Sequence, residues 1–476
     1  MTATAPTIDR PPPGAPSGRS RTPTRSGGRV TGRGVLAVLT VTVIVGAVLR
    51  LWGLGAHRLD YDEAFTAMAG RMPLGDLFAY LRSQDSHPPL DYLLRAPLAR
   101  AGVNEFVFRL PSVVLSVGAL ALFAWWMRRY RLAGVVATAL LAVSDFELTL
   151  GRTARMYAEL ELIGVLGAVL ADTWLRRPRR WHTPALGALV LAGLLTHVEM
   201  CLLAVGLLAV AGLRRDRDAW LWRAAVVAGG VGWALLWGSS FLMQARTGHS
   251  NWIPRTTING IVHTFGSVVT NRPELHLVAL AAVAAGGVLL WRRNRRLARV
   301  FVCCAVVPAG LAAAAGTVAP VLIDRTLTVA AWGPFIAIGF LVEWLGGRSR
   351  LLAAVAIAGL ASVMIPPAVH GLVAPSTPDI ALRHTASATR SGDVVATHPG
   401  GKLAELTWSV GVRGRLPYRN APVRGLGNTR GLVLGRGAAT GRIWLLDWSR
   451  RQVPLGHHHL CARPWSHGSA RVVCLH

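Results

Sequence analysis

The chain has 476 residues, of which 52% are hydrophobic and only 16% are charged, and its mean hydropathy is +0.41. Several apolar runs reach the roughly 20 residues needed to cross a bilayer. The composition therefore indicates an integral membrane protein and excludes a string of soluble globular domains. The net charge of +28 does not indicate nucleic-acid binding, because the arginines occur in short clusters between apolar runs, where they set membrane topology.

The N-terminal segment, residues 1–33, is rich in Pro, Gly, Ser, Thr and Arg and has no apolar periodicity. Such a segment cannot bury enough apolar surface to fold, so we expect a disordered, basic tail. No small-residue cleavage site follows the first apolar run. That run is therefore expected to stay in the protein as a membrane span.

Residues 34–373 alternate between apolar runs and short arginine clusters, a pattern that predicts an all-α polytopic membrane bundle of about eleven spans. The predicted spans are 34–54, 106–127, 131–148, 155–175, 184–198, 200–213, 221–242, 275–291, 299–319, 327–346 and 351–372. The run from 183 to 213 could also be one long helix. Its length favours a hairpin centred on residues 196–199, which we expect to be an exposed tip.

The arginine clusters fall on one side of this arrangement, and by the positive-inside tendency that side is the cytoplasm. The N-terminus is then cytoplasmic. The first outer loop, residues 55–105, and the tail, residues 374–476, are extracytoplasmic. The chain is thus predicted to be a multi-pass protein of the cell membrane, with membrane lipids as its surroundings.

The first outer loop is unusually acidic, since it holds seven of the 23 acidic residues of the chain. Leucine and phenylalanine side chains at helical spacing predict an amphipathic helix on the membrane surface over residues 73–82. Pro88-Pro89 suits the first turn of a second interfacial helix. Two such helices would hold the acidic turns near residues 62 and 85 close together above the bundle.

The C-terminal tail contains short β-like runs at residues 393–397, 442–446 and 471–474, separated by Gly and Pro. This pattern predicts a small extracytoplasmic α/β domain at residues 374–476. Cys461 and Cys474 both lie in this domain, where an oxidising compartment would permit a disulfide between them.

Four motifs carry a family resemblance. They are Asp62-Glu63 after the first span, Asp85-Ser86-His87-Pro88-Pro89-Leu90, Arg152-Thr153-Ala154-Arg155-Met156-Tyr157, and Asp324-Arg325-Thr326-Leu327. Together with the topology, they resemble the polyprenyl-phosphate-sugar-dependent glycosyltransferases of the GT-C fold. The chain is most similar to family 39, which includes protein O-mannosyltransferases and the aminoarabinose transferases of lipid A. The similarity covers roughly residues 34–350, and the tail is matched only loosely.

The resemblance implies inverting transfer of a sugar from a polyprenyl-phosphate donor to a hydroxyl at the outer face of the membrane. Such a reaction needs a base for the acceptor hydroxyl and positive charge for the leaving phosphate. The family's catalytic aspartate corresponds to Asp62. Glu63 could orient a substrate hydroxyl or help to hold a cation.

Arginine suits phosphate, because its planar guanidinium can donate two parallel hydrogen bonds. Arg155, together with Arg152 and Arg325, is therefore expected to clamp the donor phosphate. His87 could contact that phosphate too. Asp85 and His87, with Glu63, could instead complete a divalent metal site, and the sequence leaves metal dependence open.

Each assignment has a plainer alternative. Asp62 and Glu63 could be a solvated pair of loop acids, and Asp85 with His87 could cap the helix that follows. Arg152 and Arg155 could anchor a helix at the interface, and Arg325 could pair only with its neighbour Asp324.

A different class of function, a membrane transporter or a non-catalytic scaffold, also fits a polytopic chain. A transporter should carry charges deep inside its spans. The predicted spans are nearly free of them, with Glu159, Glu161 and Asp172 as the main exceptions. Mannose and arabinofuranose are both plausible sugars, and the acceptor could be a glycan, a lipid or a protein.

Overall fold

The computed structural model of the protein describes residues 32–83, 85, 87–246, 253, 255–373, 377–398, 405, 407–412, 418–422, 429–434, 442–447, 459–467 and 470–475. The predicted disordered tail at residues 1–33 lies almost wholly outside these ranges and stays a prediction. Its last two residues are helical, so the first helix begins slightly earlier than expected.

The described part of the chain is mainly helical. Its α-helices are α1 Gly32–Leu51, α2 Tyr61–Gly70, α3 Leu74–Ser83, α4 Leu90–Ala101, α5 Glu105–Met127, α6 Arg131–Val143, α7 Asp145–Arg152, α8 Tyr157–Arg176, α9 His182–Thr196, α10 Met200–Gly212, α11 Arg217–Trp233, α12 Ser239–Arg246, α13 Ile258–Ser267, α14 His276–Arg293, α15 Arg295–Phe301, α16 Val307–Val318, α17 Trp332–Arg348, α18 Arg350–Val373 and α19 Thr377–Ala388. Short 3₁₀ and π turns join several of them, including a 3₁₀ segment at Asp324–Ala330.

Among these helices, six segments are long and apolar enough to cross a membrane. They are Arg33–Leu51, Glu105–Val143, Arg217–Arg246, Pro273–Arg293, Arg295–Val318 and Arg350–Pro367. A seventh is added if Asp324–Ala330 and Trp332–Arg348, which meet at 67°, form one broken span. The chain is therefore a multi-pass membrane protein, but the predicted count of about eleven spans is not confirmed.

The difference in count has identifiable causes. α5 and α6 form one apolar segment of 39 residues, interrupted only by the 3₁₀ turn Arg128–Tyr130. α9 and α10 have 15 and 13 residues, which is shorter than a bilayer crossing. α8 has the length of a span but carries three carboxylates.

The two predicted interfacial helices are present as α3 and α4, and Pro89 precedes the first turn of α4. The sequence analysis did not predict α2, which lies between the first span and these two helices. Its signal was the pair Asp60 and Glu63, which form a capping box at the start of that helix. The described part of residues 55–105 thus forms three short helices before α5.

Charged groups inside the bundle are paired with one another. Arg95 is fully buried and donates to Asp91 at 2.6 Å and to Glu159 at 3.2 Å. Asp172 is equally buried and accepts from Arg176 at 2.9 Å. A buried charge is tolerated only when it is paired or hydrogen-bonded, so these contacts account for two of the acids that the sequence located within spans.

The tail folds into the predicted α/β unit, in which α19 packs on a mixed sheet. Its strands are β1 Val394–His398, β2 Tyr418–Pro422, β3 Arg430–Leu434, β4 Ile443–Asp447, β5 Trp465–His467 and β6 Ala470–Leu475. The strand order is β2-β3-β1-β4-β6-β5, and β1 and β4 are the parallel pair. The structure joins Cys461 to Cys474 of β6 by a disulfide, beside a bridge from Leu460 to Leu475.

Trp408 connects this tail unit to helices α2 and α5. Trp408 is fully buried, and its ring lies 5.6 Å from that of Phe108 on α5. Ala64 and Ala67 of α2 belong to the same apolar cluster. The tail therefore packs directly on the helix that carries the acidic pair.

Candidate active site

Helix α2 turns the adjacent acids Asp62 and Glu63 in different directions. The Asp60 side chain accepts a hydrogen bond from the Glu63 backbone N–H at 2.8 Å, and the Glu63 carboxylate accepts from the Asp60 N–H at 3.0 Å. Successive residues on an α-helix are about 100° apart, because one turn takes 3.6 residues. Asp62 consequently faces a cavity while Glu63 faces the protein interior.

Glu63 holds α2 in place. It is only 1% exposed, and its Oε1 accepts from Arg109 Nε and from the Ala154 N–H, both at 2.7 Å. Burial alone would raise the pKa of Glu63, but Arg109 and these hydrogen bonds outweigh burial and lower that pKa. This position does not support the expected contact of Glu63 with a substrate hydroxyl or cation. The sequence analysis did not predict the role of Arg109.

The cavity beside Asp62 has a volume of about 690 Å³. Its polar wall holds Tyr61, Asp62, His87, Arg155, Tyr157, His197, Glu199 and Arg325. The opposite wall is mostly apolar and comes from α12, α16 and the segment before Asp324–Ala330. Asp62, His87, Arg155 and Arg325, one from each of the four sequence motifs, thus meet in one place.

Asp62 is paired with Arg325. Their Oδ2 and Nη1 atoms are 3.1 Å apart, and the same Nη1 donates to the Tyr157 hydroxyl at 3.0 Å. The Asp62 side chain is 37% exposed, so a solvent or substrate hydroxyl can reach it. The alternative in which Arg325 pairs only with Asp324 is wrong, because the Asp324 carboxylate accepts from the Arg325 backbone N–H instead.

Arg155 is a buried cation that forms no ion pair with an acidic side chain in the described part of the chain. It is 3% exposed, and its Nη1 donates to Thr66 Oγ1 at 2.7 Å and to the Tyr92 hydroxyl at 3.1 Å. Its Nη2 lies 3.4 Å from the His87 ring nitrogens. Among the described residues, no carboxylate oxygen lies within 4.0 Å of its guanidinium. A buried guanidinium that borders a cavity, and that forms no direct ion pair with a carboxylate of the described residues, is suited to bind an anion.

Asp85 and His87 form a second pair next to Arg155. Asp85 Oδ1 lies 3.0 Å from His87 Nδ1, and the Tyr92 hydroxyl donates to Asp85 Oδ2. Burial would raise the pKa of Asp85, but His87, Arg155 and Tyr92 together lower it to about 2. Neither residue caps the following helix, because Pro89 occupies the N-cap position without a side-chain bond.

The proposed metal ligands do not converge. Glu63 is bound to Arg109, whereas Asp85 is bound to His87 and Tyr92. Within the part of the chain that the structure describes, no group of three or more His, Cys, Asp or Glu is arranged to hold a metal ion. The residues suggested from the sequence therefore do not fit a divalent cation as one site.

Arg152 does not take part in the cavity. Its Nη2 donates to the Trp52 carbonyl oxygen at 2.6 Å, just after the end of α1. Arg155, three residues later, lies in the break between α7 and α8, and its side chain lines the cavity. Of the four side chains expected at the donor phosphate, three line the cavity and Arg152 anchors a helix end.

The tip of the α9–α10 hairpin lines the cavity, although the sequence suggested an exposed tip. His197 Nδ1 lies 3.4 Å from Glu199 Oε2, and the His197 and His87 rings are 5.2 Å apart. The side chains of His197 and Glu199 are only 13% and 18% exposed. Burial raises the pKa of Glu199 to about 8, against the opposing effects of Thr326 and Arg325.

No protein-family model and no curated protein matches this chain by sequence. Solved structures do match its fold. ArnT from Cupriavidus metallidurans bound to undecaprenyl phosphate is similar with a TM-score of 0.54 and 14% identity, over 93% of this chain and 98% of that chain. The apo form of the same enzyme gives 0.55 and 14%, over 92% and 97%. The apo oligosaccharyltransferase of Archaeoglobus fulgidus gives 0.51 and 10%, over 79% of this chain and 64% of that chain.

Proposed function

Because the chain has the GT-C fold, we propose that it is an integral-membrane glycosyltransferase that uses a polyprenyl-phosphate-linked sugar. One observation carries the proposal. A single cavity holds an accessible carboxylate, Asp62, together with Arg325 and with the buried Arg155, which has no acidic partner among the described residues. A base and an anion site side by side are what glycosyl transfer from a phosphate requires.

In the proposed reaction Asp62 accepts the proton of an acceptor hydroxyl. The acceptor oxygen then attacks the anomeric carbon, and the bond from that carbon to the phosphate oxygen breaks on the opposite face. The configuration at the anomeric carbon is inverted, and polyprenyl phosphate leaves with the bonding electron pair. Protonated Asp62 afterwards returns its proton to solvent through its exposed edge.

Arg155 and Arg325 are proposed to bind the phosphate before and after this step. Thr66 and Tyr92 fix the Arg155 guanidinium by the hydrogen bonds described above, so little side-chain freedom is lost when an anion binds. His87 lies against the same guanidinium and could donate to a phosphate oxygen. The apolar wall of the cavity offers a surface for the isoprenoid chain.

The choice of a polyprenyl donor is supported by the bound undecaprenyl phosphate of the Cupriavidus metallidurans ArnT structure. We propose mannose or arabinofuranose as the sugar and a glycan, lipid or protein as the acceptor, at the outer face of the cell membrane. No step is assigned to a metal ion, because the suggested ligands do not converge.

The proposal is tested with purified protein in liposomes. Radiolabelled mannosyl and arabinofuranosyl esters of undecaprenyl phosphate are supplied with a crude cell-envelope acceptor fraction. We expect one donor to be consumed, with release of undecaprenyl phosphate and a labelled, covalently glycosylated product. Uptake of intact donor without a covalent product would favour a transporter, and no consumption of either donor would contradict the proposal.

A further inference from the structure

The cavity contains a second carboxyl group that the proposed transfer does not use. Glu199 lies between the end of α9 and the start of α10 and lines the same cavity as Asp62. Whereas Asp62 pairs with Arg325, the described residues give Glu199 only His197 as an ion-pair partner. Thr326 and Arg325 also act on this carboxyl group, but it borders the cavity and is partly exposed, so a bound molecule can reach it.

His197 lies beside this carboxyl group and holds the backbone that carries it. The Glu199 backbone N–H donates to His197 Nδ1 at 3.2 Å, and the imidazole lies against the His87 ring. Burial, with the nearby charges of His87, Arg155 and Arg325, lowers the pKa of His197 well below its usual value. The lowered pKa favours the neutral form of the ring.

Arg155 and His87 make part of the cavity wall positive, and a phosphate would bind there. An ionised Glu199 would repel the lipid phosphate. A carboxyl group both donates and accepts hydrogen bonds when protonated, and accepts several when ionised, which matches the hydroxyl groups of a sugar in either state.

We propose that Glu199, oriented by His197, binds hydroxyl groups of the transferred sugar and thereby selects the donor. The inference rests on the proposed function, because it takes the cavity to hold a polyprenyl-phosphate sugar. Glu199 is a positioning and specificity residue in this view. Asp62 stays the group that accepts the proton.

Equilibrium binding without acceptor tests the inference. Undecaprenyl phosphate and its mannosyl or arabinofuranosyl ester, whichever the wild type consumes, are titrated against wild-type protein, Glu199→Gln and Glu199→Ala. Both variants are expected to bind the sugar-free lipid within about twofold of wild type. Their preference for the sugar-bearing lipid should fall by about 10- to 100-fold, the effect of losing a hydrogen bond to a charged or strongly polar group.

Glu343→Gln is the matched control, since Glu343 lies on α17, does not line the cavity, and is 3.8 Å from Arg293. A series of monodeoxy donors adds a second readout. At least one monodeoxy donor should bind wild type more weakly than the parent donor does. Glu199→Ala should not weaken the binding of that monodeoxy donor any further. Unchanged affinity for the sugar-free lipid also shows that a variant is folded.

The outcomes separate the two proposals. If wild type transfers sugar but both Glu199 variants keep the full preference for sugar-bearing lipid, the inference is wrong and the proposed function stands. If binding is normal and only the acceptor KM rises, Glu199 contacts the acceptor, which also overturns the inference. If wild type neither binds undecaprenyl phosphate nor consumes its esters, the proposed function is wrong, and the inference that rests on it is wrong too.

Discussion

At the scale of single residues, neighbouring side chains of the same chemistry have different surroundings. Asp62 and Glu63 are adjacent acids, yet one borders the cavity and the other is sealed against Arg109. Arg152 and Arg155 differ in the same way. These two contrasts provide matched variants for testing the proposed roles.

The first prediction concerns the base. Asp62→Asn keeps the size of the side chain but cannot accept the acceptor proton, so turnover should fall by a factor of about 10²–10⁴. Binding of undecaprenyl phosphate should persist, because Arg155 is untouched. Asp76→Asn, an exposed acid on α3, is the control and should have little effect. Single-turnover rates of sugar transfer measure the effect. If Asp62→Asn transfers sugar at the wild-type rate, another group is the base.

The second prediction concerns the anion site. Arg155→Ala removes a charge-assisted contact of about 1.5–3 kcal/mol, so affinity for undecaprenyl phosphate should fall by about 10- to 150-fold. Arg152→Ala should leave that affinity within about twofold, since Arg152 bonds a carbonyl oxygen away from the cavity. Titration of both folded variants compares them directly. Equal losses would contradict the assignment of phosphate binding to Arg155.

At the scale of secondary-structure elements, α2 depends on one buried ion pair. Arg109→Ala would leave the Glu63 carboxylate buried without its counter-charge, which typically costs about 3–5 kcal/mol. We expect a clearly lower thermal unfolding temperature in detergent. Arg214→Ala breaks the ion pair with Asp216 at the bundle surface and should change that temperature little. Similar shifts in both variants would count against an anchoring role for Glu63.

The same pair predicts a pH dependence. The pKa of Glu63 in the folded protein lies below its ordinary value of 4.5, chiefly because Arg109 outweighs burial. The stability that this difference contributes is present above pH 4.5 and is lost as the pH falls through the lowered pKa. Acid unfolding of wild type should therefore have a component below pH 4.5 that Arg109→Ala lacks.

The sequence predicted elements better than it predicted their surroundings. Leucine spacing located α3 and α4, and β-like runs located β1, β4 and β6. The break between α9 and α10 was also predicted correctly. The burial of this turn was not predicted, because periodicity along one segment does not reveal which neighbours pack around a turn. Arg109 was missed for a similar reason, since its partner Glu63 is 46 residues away.

At the scale of the whole molecule, the side of the membrane is the main open prediction. The arginine clusters predict an extracytoplasmic C-terminus, and the unconfirmed number of spans makes this worth measuring. A phosphatase fused after residue 476 should be active, whereas a fluorescent protein that matures only in the cytoplasm should stay dark. The reverse pattern would mean an even number of spans.

The tail disulfide is a related prediction. Cys461 and Cys474 are 13 residues apart, and closing a loop of that length contributes about 3 kcal/mol on the chain-entropy model. In freshly isolated membranes both should resist alkylation until a reductant is added. Cys201, a free thiol in α10, is the internal reference. Alkylation of both tail thiols without reductant would rule out the bond.

The burial of Trp408 against Phe108 has a consequence for engineering and for divergence. The tail and the first outer loop share one apolar cluster, so neither can be exchanged with a homologue on its own without leaving a misfitted surface. A functional chimera should need residues 55–110 and 374–476 from the same parent. In evolution, too, the two segments are expected to change together, although about 300 residues separate them in the chain.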